Sequence, residues 1–344
     1  MEHIAIDLGG MESQICVRSS DGTIIDELRT ATRSLARYLR RRPKSRVILE
    51  TSAEAFAVAD QALECGHEVR VVPSTLARSL GVGSRRVKTD RKDAQALSDV
   101  SCKVDLPSVH VPSHVAREYR SMSTARESLV DARTQLVNSV RGYLRTRLGR
   151  VKTGAVESFP SRARKALLKQ PDGLPEFIER QLLVIEELNA QIEAATAELA
   201  AVASHDETCR RLMTVPGVGP VTSVRYVGAV DRVDRFANAH VLESYLGLTP
   251  GERSSSQKVR RTGITKAGPA KVRWALVQAS WVLMRHRRND PIVQWADGVM
   301  KRRGKRIAIV ALSRKLAGIL YAMWRDGTEY EPARAARLPD GDRG

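Results

Sequence analysis

The stretch HIAIDLG, residues 3–9, is a short apolar run that ends in an acidic residue, Asp7, and a glycine. Apolar runs of this length between turn signals are typical of buried strands. The stretch RVILET, residues 46–51, repeats the pattern with Glu50 in the position of Asp7. The sequence therefore predicts two buried strands, each with a carboxylate where the strand ends.

The rest of the first hundred residues alternates between strand and helix signals. We expect further strands over residues 14–18, 23–28 and 68–72. Helices are expected over residues 34–42 and 53–64, after Pro73, and from near Asp90. Three meandering strands followed by alternating helices and strands predict a mixed α/β domain with one central sheet.

A third stretch, KTDRKDA at residues 88–94, adds Asp90 and Asp93 at the predicted start of a helix. A three-residue step turns about 60° around a helix, so both carboxylates point to one side. Four carboxylates in one place repel each other, and Mg²⁺ or Mn²⁺, which prefer oxygen ligands, would relieve that repulsion. Two such ions can assist phosphoryl transfer. Taken singly, Asp7 could cap a turn, Asp90 a helix, and Asp93 could stabilise the helix dipole.

The charge balance points to nucleic acid. The chain has 57 Lys and Arg against 39 Asp and Glu, a net charge of +18. Neutralising phosphates releases counterions and gives sequence-independent affinity. Aromatic residues make up only 4% of the chain, which argues against base stacking as the main binding mode. Without a visible signal peptide, zinc-type cysteine spacing or an apolar run of about 18 residues, we expect a cytoplasmic, nucleoid-associated protein with no membrane partner.

The remainder of the chain is predicted to be mainly helical. Residues 114–148 and 185–202 carry near-heptad apolar patterns, which fit an oligomerising coiled coil or an internal bundle equally well. LMTVPGVGPVT, residues 212–222, matches a phosphate-binding helix-hairpin-helix or a plain helix–helix turn. Basic amphipathic helices are expected over residues 270–288 and 305–325. The predicted domains are residues 1–112, 113–205 and 206–330, followed by a disordered tail over 331–344.

A basic segment, GERSSSQK at residues 251–258, contains three consecutive serines. It fits a flexible loop that contacts phosphates. It also fits a segment in which one serine attacks the DNA backbone. A serine hydroxyl needs a base or a metal to become a good nucleophile. No histidine is close in sequence, so activation would have to come from the carboxylate site.

These stretches, together with PGVG (216–219), GLTP (247–250) and ITKAG (264–268), resemble transposases of the insertion-sequence one-hundred-and-ten family over residues 1–330. The resemblance implies an α/β RNase H-like (RuvC-like) N-terminal domain with an Asp-Glu-Asp-Asp site at Asp7, Glu50, Asp90 and Asp93. It also implies a helical coiled-coil middle and a mainly α C-terminal domain with a helix-hairpin-helix-like element.

The same resemblance implies a nucleophilic serine, which falls on Ser255; family members often have Gly after it, where this chain has Ser256. The resemblance does not decide with certainty among Ser254, Ser255 and Ser256. It further implies a noncoding bridge RNA that guides the enzyme to donor and target DNA. Assembly from dimer to tetramer, with one site built from different subunits, is a further family implication.

The working hypothesis is a metal-dependent recombinase that excises and inserts its own element. Its DNA partners would be the element ends and a target site. Predicted nucleic-acid contacts are Lys88, Arg91, Lys92, Arg253, Lys258, Arg260, Arg261, Lys266, Lys271 and Arg273. One alternative is a Holliday-junction-type nuclease that uses metal-activated water. Another is a non-catalytic nucleic-acid-binding protein.

Overall fold

The computed structural model describes residues 1–79, 89–255 and 258–337, with only the backbone for residues 78–79, 253–255, 258–261 and 336–337. The chain forms two compact units, residues 1–112 and 113–344. Separate clusters of buried apolar side chains lie in each unit.

A five-stranded mixed sheet forms the centre of the first unit. Its strands are β1 (His3–Asp7), β2 (Glu12–Arg18), β3 (Ile24–Ala31), β4 (Arg46–Glu50) and β5 (Glu68–Val72). Their order is β3-β2-β1-β4-β5. β2 runs antiparallel to β1 and β3, whereas β4 runs parallel to β1 and β5. The carboxyl ends of β1, β4 and β5 therefore lie at the same edge of the sheet.

Helices cover both faces of this sheet, because successive strand residues point to opposite sides. On one face, Ile6 and Leu49 pack against α1 (Leu35–Leu39) and α2 (Ala55–Glu64). A short 3₁₀ turn, Thr32–Ser34, precedes α1. On the other face, Ala5 and Ile48 pack against residues of α3 (Ser74–Ser79) and α4 (Asp90–Lys103).

The second unit is mainly helical. Its helices are α5 (His114–Arg145), α6 (Phe159–Leu167), α7 (Glu176–His205), α8 (Glu207–Leu212), α9 (Pro220–Val230), α10 (Ala239–Tyr245), α11 (Ala270–His286), α12 (Pro291–Arg303), α13 (Lys305–Asp326) and α14 (Pro332–Arg337). A further 3₁₀ turn spans Val233–Arg235.

The two longest helices, α5 and α7, pack against each other within this chain. Val140 of α5 and Ile185 of α7 belong to one buried cluster, together with Phe159 of α6. Leu199, near the end of α7, joins a second cluster that also contains Leu316 of α13. Apolar positions of the near-heptad pattern thus contribute to intramolecular cores.

A two-stranded antiparallel hairpin interrupts the helices of the second unit. Its strands are β6 (Pro250–Ser255) and β7 (Lys258–Ile264), which pair with Ser255 opposite Lys258. From the sequence, this segment is expected to be a loop or a catalytic segment, without strands. Charged and hydroxyl side chains dominate it, so the apolar alternation that normally marks a strand is absent.

Helix α13 is long and apolar enough to cross a membrane, judged by its length and composition alone. An 18-residue window within it has a mean hydropathy of 1.5, but 72% of that window is buried inside the protein. Leu316 and Leu320 are fully buried in the core of the second unit. The burial accounts for the apolar composition, since a core helix needs apolar residues on several faces.

The chain after Tyr330 departs from the expectation of disorder. Residues Pro332–Arg337 form α14, and Ala335 is only 3% exposed. A short alanine-containing helix can be stabilised by docking on a larger core even when its composition suggests a flexible tail. The last residues of the expected tail, 338–344, lie outside the described residues.

Candidate functional site

Asp7 and Glu50 are the last residues of two neighbouring parallel strands. Ile6 of β1 pairs with Leu49 of β4, so each carboxylate follows directly after a paired residue. Asp7 and Glu50 each follow by two residues a residue, Ala5 or Ile48, whose side chain packs on the α4 side of the sheet, so their side chains lie on that same face. The two acidic residues therefore lie side by side at the carboxyl edge, on the face that α4 covers.

The turn after β1 requires glycine at position 9, two residues after Asp7. A Cβ on Gly9 would lie 2.4 Å from the carbonyl oxygen of Glu12. No side chain fits at that distance, so the backbone reverses tightly from β1 into β2. Thr32 donates a hydrogen bond to the Gly9 carbonyl at 2.7 Å and fixes the turn from the other side. Asp7 is thus placed on a rigid strand end.

Helix α4 runs across the sheet in a register that leads to the same edge. Ser101 bonds to His3 at 2.8 Å, and Leu97 packs with Ala5. Four residues of helix rise about 6 Å, close to the roughly 6.6 Å of two strand residues. Because these two rises match, Asp93, four residues before Leu97 on α4, lies level with Asp7, two residues after Ala5 on β1. Asp93 is only 8% exposed and lies on the sheet-facing stripe of α4.

The start of α4 separates the roles of its two acidic residues. Thr89 is the N-cap and accepts a hydrogen bond from the Lys92 amide at 3.4 Å. The alternative that Asp90 caps this helix is therefore wrong, because the cap position belongs to Thr89. Asp90 is the first helical residue and is exposed, whereas Asp93 is buried. Lys88 lies outside the described residues.

The basic residues beside these carboxylates differ in their contacts. Arg91 donates from Nε and Nη2 to the Glu27 carboxylate on β3, at 3.2 and 2.5 Å. This hydrogen bond is the main cause of a lowered pKa of Glu27. Lys92 is exposed. Arg91 therefore braces α4 against β3, and Lys92 remains accessible to a phosphate.

The donor set suits a hard divalent cation, since it consists of carboxylate oxygens. Within the described parts of the chain, no three His, Cys, Asp or Glu side chains converge closely enough to bind a metal ion. Asp7 and Asp93 each take part in an interaction within the protein. Metal binding at this edge would thus require their side chains to turn toward a common ion, while the backbone register stays as it is.

The serine segment lies at the far end of the β6–β7 hairpin. Ser254 pairs with Val259, and Ser255 is the last residue of β6. The structure describes only the backbone of Ser254 and Ser255, and likewise of Arg253, Lys258, Arg260 and Arg261. Ser256 lies outside the described residues. The predicted nucleophile therefore lies at the end of the paired strands that is remote from Pro250 and Ile264.

The base of this hairpin is a crossing of two backbone segments. Gly247 has a φ of +68°, and a Cβ there would lie 2.2 Å from the Ala267 carbonyl oxygen. Gly268 has a φ of +65°, and a Cβ there would lie 2.1 Å from the Tyr245 carbonyl oxygen. Only glycine fits both the positive φ and the close approach. The two glycines hold the entry and exit of the hairpin together.

Arg273 secures the same crossing. Its Nη1 donates to the carbonyl oxygens of Leu246 at 3.0 Å and Gly268 at 3.1 Å, and also to that of Ala267. Burial lowers the pKa of Arg273. Arg273 is predicted from the sequence as a nucleic-acid contact, and its hydrogen bonds to these carbonyl oxygens are not predicted. The available sequence signal was the pair Gly247 and Gly268, because glycine is the residue that lets two backbone segments approach closely.

Lys271, another predicted nucleic-acid contact, belongs to a small ionic cluster. It lies 3.0 Å from Glu127 and 3.3 Å from Asp131 of α5. Arg225 of α9 approaches the other oxygen of Glu127 at 2.8 Å. Lys266, the remaining predicted contact here, is exposed and has a φ of +58°. The ionic cluster ties α11 to α5 and α9.

The glycine turn before α9 packs closely on α11. Gly217 has a φ of +87°, and a Cβ there would lie 2.8 Å from the Ala279 carbonyl oxygen. Gly219 caps α9 without a side-chain hydrogen bond, and Pro220 occupies the first helical turn. This geometry explains Gly217 by packing. A phosphate contact at Gly219 stays a prediction.

Comparison with known proteins gives a consistent answer. A model for the transposase IS116/IS110/IS902 family matches residues 209–293. A second transposase model, named for a DEDD motif and IS110, matches residues 4–147. The DEDD model indicates dependence on a divalent metal. Together the two models span nearly the whole sheet, α4, α5 and the serine hairpin.

Individual relatives agree with these models. The chain is 31% identical, over 242 residues, to the transposase for insertion sequence element IS1111A of Coxiella burnetii, covering 69% of this chain and 66% of the relative. It is 25% identical, over 336 residues, to the transposase for IS1328 of Yersinia enterocolitica, covering 95% of this chain and 98% of the relative. Transposases are DNA-recombining enzymes, and this chain belongs to the IS116/IS110/IS902 transposase family.

Proposed function

We propose that this enzyme excises and inserts its own insertion sequence by metal-assisted attack of Ser255 on DNA phosphodiesters. The observation that carries the proposal is the common placement of Asp7, Glu50 and Asp93 at one edge and on one face of the sheet. In this proposal the first unit is an RNase H-like, RuvC-like domain, and Asp90 completes its carboxylate set.

The proposed cofactor is Mg²⁺ or Mn²⁺, held by Asp7, Glu50, Asp90 and Asp93. Such an ion would stabilise the charge that develops on the phosphate oxygens and would favour ionisation of the attacking hydroxyl. The partial burial of the site supports this role, because charge stabilisation is stronger where water is excluded.

The proposed chemistry conserves the energy of the phosphodiester. The Oγ of Ser255 forms a bond to phosphorus while the bond from phosphorus to one sugar oxygen breaks. The proton lost from the serine hydroxyl ends on the released sugar oxygen or in solvent. A sugar hydroxyl of another strand can then attack the phosphoserine, restore the serine and complete strand exchange without an external energy source.

The partners follow from the same proposal. DNA at the element ends and the target site would be held through its backbone by Lys and Arg of the serine domain. A noncoding bridge RNA would supply sequence specificity by base pairing, which leaves the protein to bind backbones. We further propose that residues 1–112, 113–205 and 206–330 are functional domains and that a helix-hairpin-helix surrounds Gly217. The proposed location is the cytoplasm, in association with the nucleoid. The proposed assembly is a dimer to tetramer that forms through a coiled coil.

A strand-transfer assay with the native element, its flanking RNA and Mg²⁺ tests the chemistry. We expect loss of strand transfer of more than about 100-fold in Asp93→Asn and in Ser255→Ala. Asp99→Asn, on the exposed side of α4, and Ser254→Ala and Ser256→Ala are the matched controls and should retain activity. Full activity of Ser255→Ala would reject the serine nucleophile, and metal-dependent hydrolysed ends would favour a nuclease that uses water.

Two further arms test the partners. Omitting the flanking transcript should abolish strand transfer without affecting non-specific DNA binding. Mixing Asp93→Asn protomers with Ser255→Ala protomers should restore part of the activity if each site draws on different subunits. Activity without RNA, or no restoration on mixing, would remove the RNA guide or the shared site from the proposal.

A further inference from the structure

Positive charge is concentrated between the second half of α5 and the start of α7, far along the chain from the serine hairpin. Residues 132–171 contain a single acidic side chain, Glu157. The basic side chains of this segment are Arg133, Arg141, Arg145, Arg147, Arg150, Lys152, Arg162, Arg164, Lys165 and Lys169. The proposed chemistry uses none of them.

Part of this charge is neutralised inside the unit. The three arginines that form ion pairs are Arg133 with Glu157, Arg147 with Asp172, and Arg164 with both Glu179 and Glu186. Arg162 instead donates to backbone carbonyls of Lys152 and Ala155. These contacts stabilise the fold of the connecting segment, and they leave Arg141 and Arg145 at the end of α5 without a counter-charge among the described residues.

Part of the remaining charge lines one pocket, and Lys165 and Lys169 are not among its lining residues. It has a volume of about 610 Å³ and is formed by residues 141, 144, 145 and 148–154; we call it the α5-end pocket. Arg145, Arg150 and Lys152 are exposed, and no described carboxylate pairs with any of them. Arg141 lies over the ring of Phe159, 5.3 Å from its centroid. The pocket therefore presents four cations and no acid.

The backbone at this pocket is held in an unusual conformation. Leu148 has a φ of +55° and a side chain that is 97% exposed. The Gly149 amide donates to the Leu144 carbonyl at 2.8 Å, and the Leu148 amide to Arg145 at 3.0 Å. This is a Schellman ending with leucine where glycine is usual. Local strain of this kind is often retained at binding sites.

We propose that the α5-end pocket binds the sugar-phosphate backbone of duplex DNA, as an anchoring site separate from the carboxylates and the serine hairpin. Charge complementarity carries the proposal, because clustered cations gain affinity by releasing counterions from phosphates. No aromatic residue lines the pocket, so stacking of unpaired bases is not the binding mode that it fits. Binding here would be independent of sequence.

Equilibrium binding of a 30-base-pair duplex to the full chain tests the proposal without any strand transfer. The variant combines Arg145→Gln, Arg150→Gln and Lys152→Gln and leaves Arg141, which packs on Phe159, unchanged. The matched control combines Arg40→Gln, Arg41→Gln and Lys44→Gln, which removes the same charge from exposed positions of the first unit. Fluorescence anisotropy between about 50 and 200 mM salt gives the affinity and its salt dependence.

We expect the pocket variant to reduce the slope of log K against log salt by roughly 2 to 3, and the control to change it by less than about 1. A variant with Arg145→Lys and Arg150→Lys should keep the wild-type slope, because lysine still neutralises a phosphate. Equal changes in variant and control would overturn the proposal, as would an unchanged slope in the pocket variant. A loss confined to duplex or single-stranded RNA of equal length would assign the pocket to RNA and overturn the DNA assignment. Since binding alone is measured, none of these outcomes bears on the serine chemistry.

Discussion

Arg314 of α13 donates from Nε to Oε2 of Glu243 on α10 at 2.6 Å, and the two side chains are only 14% and 8% exposed. Two residues after Glu243, α10 ends at Tyr245, and the chain passes through Gly247 into the serine hairpin. The pair therefore fixes the helix from which the hairpin starts. No role of Glu243 is predicted from the sequence, because an ion pair between residues 71 apart leaves no local pattern.

Arg314→Met should lower the free energy of unfolding by about 3 kcal/mol, because it removes the guanidinium that neutralises the buried Glu243 carboxylate and leaves only His240 of the described residues nearby, 3.9 Å away. Arg325→Met is the matched control on the same helix. It removes an exposed pair with Asp326 and should cost less than about 1 kcal/mol. Urea unfolding of both variants measures the difference. Similar losses in the two variants would contradict a special role for the Glu243 pair.

Gly268→Ala should destabilise the hairpin base by more than about 1 kcal/mol, since alanine at this positive φ is strained and its Cβ would meet the Tyr245 carbonyl. Gly263→Ala in β7 is the control, because no described atom lies within 4 Å of the place that its Cβ would occupy. Thermal unfolding and strand transfer should both separate the two variants. A harmless Gly268→Ala would mean that the two backbones do not cross as described.

Leu148→Gly should stabilise the protein by about 1 kcal/mol, because glycine adopts the left-handed conformation without the strain that leucine carries. Leu168→Gly is the contrasting control. Leu168 is also an exposed leucine at a helix end, but its φ is −60°, so glycine there should destabilise. Chemical denaturation of both variants provides the comparison. Destabilisation by Leu148→Gly would argue that the leucine side chain makes a stabilising contact.

Ionisation of the Glu127 carboxyl group makes the free energy of unfolding depend on pH. Burial by itself would raise the pKa of Glu127, but hydrogen bonds from Lys271 and Arg225 outweigh it and lower the pKa below the ordinary value of 4.5. The unfolded chain then binds the proton more readily, so this stabilisation is complete above about pH 4.5 and is lost as pH falls through the lowered value.

The test compares Glu127→Gln with Glu118→Gln, an exposed position on the same helix. Glu127→Gln should be less stable than wild type at pH 7, and the difference should shrink as the pH drops below about 4.5. Urea unfolding at several pH values measures this difference for each variant. A difference that stays constant down to about pH 3 would show that Glu127 contributes through packing and not through its charge.

Much of the first unit could be predicted because its signals are local. The strands His3–Asp7, Arg46–Glu50 and Glu68–Val72, and a helix start near Asp90, are confirmed at those positions. Buried strands and capped helices are marked by apolar runs and turn residues, which a single sequence displays. Expected ends elsewhere, such as those of β2 and β3, moved by a few residues, because pairing with a neighbouring strand extends an element beyond its own pattern.

The site was predictable only in part. The positions of Asp7 and Glu50 at neighbouring strand ends follow from the strand pattern, but the burial of Asp93 and the exposure of Asp90 depend on how α4 docks. The helix over Pro291–Arg303 and the serine hairpin escaped prediction. The helix buries only Ile292, Val293 and Ala296, which is too few to show a clear period, and the hairpin lacks the apolar alternation of a strand. The roles of Arg273 and Glu243 are tertiary and could not be derived from spacing.

The central claim is that a serine of the hairpin becomes joined to DNA with help from the carboxylates. The direct measurement is capture of the protein on DNA under denaturing conditions, after incubation with the element, its flanking RNA and Mg²⁺, followed by mass spectrometry. The account predicts a nucleotide remnant on Ser255 that is absent from Asp93→Asn. Metal-dependent cut ends without any protein–DNA adduct, or an adduct on another residue, would contradict it.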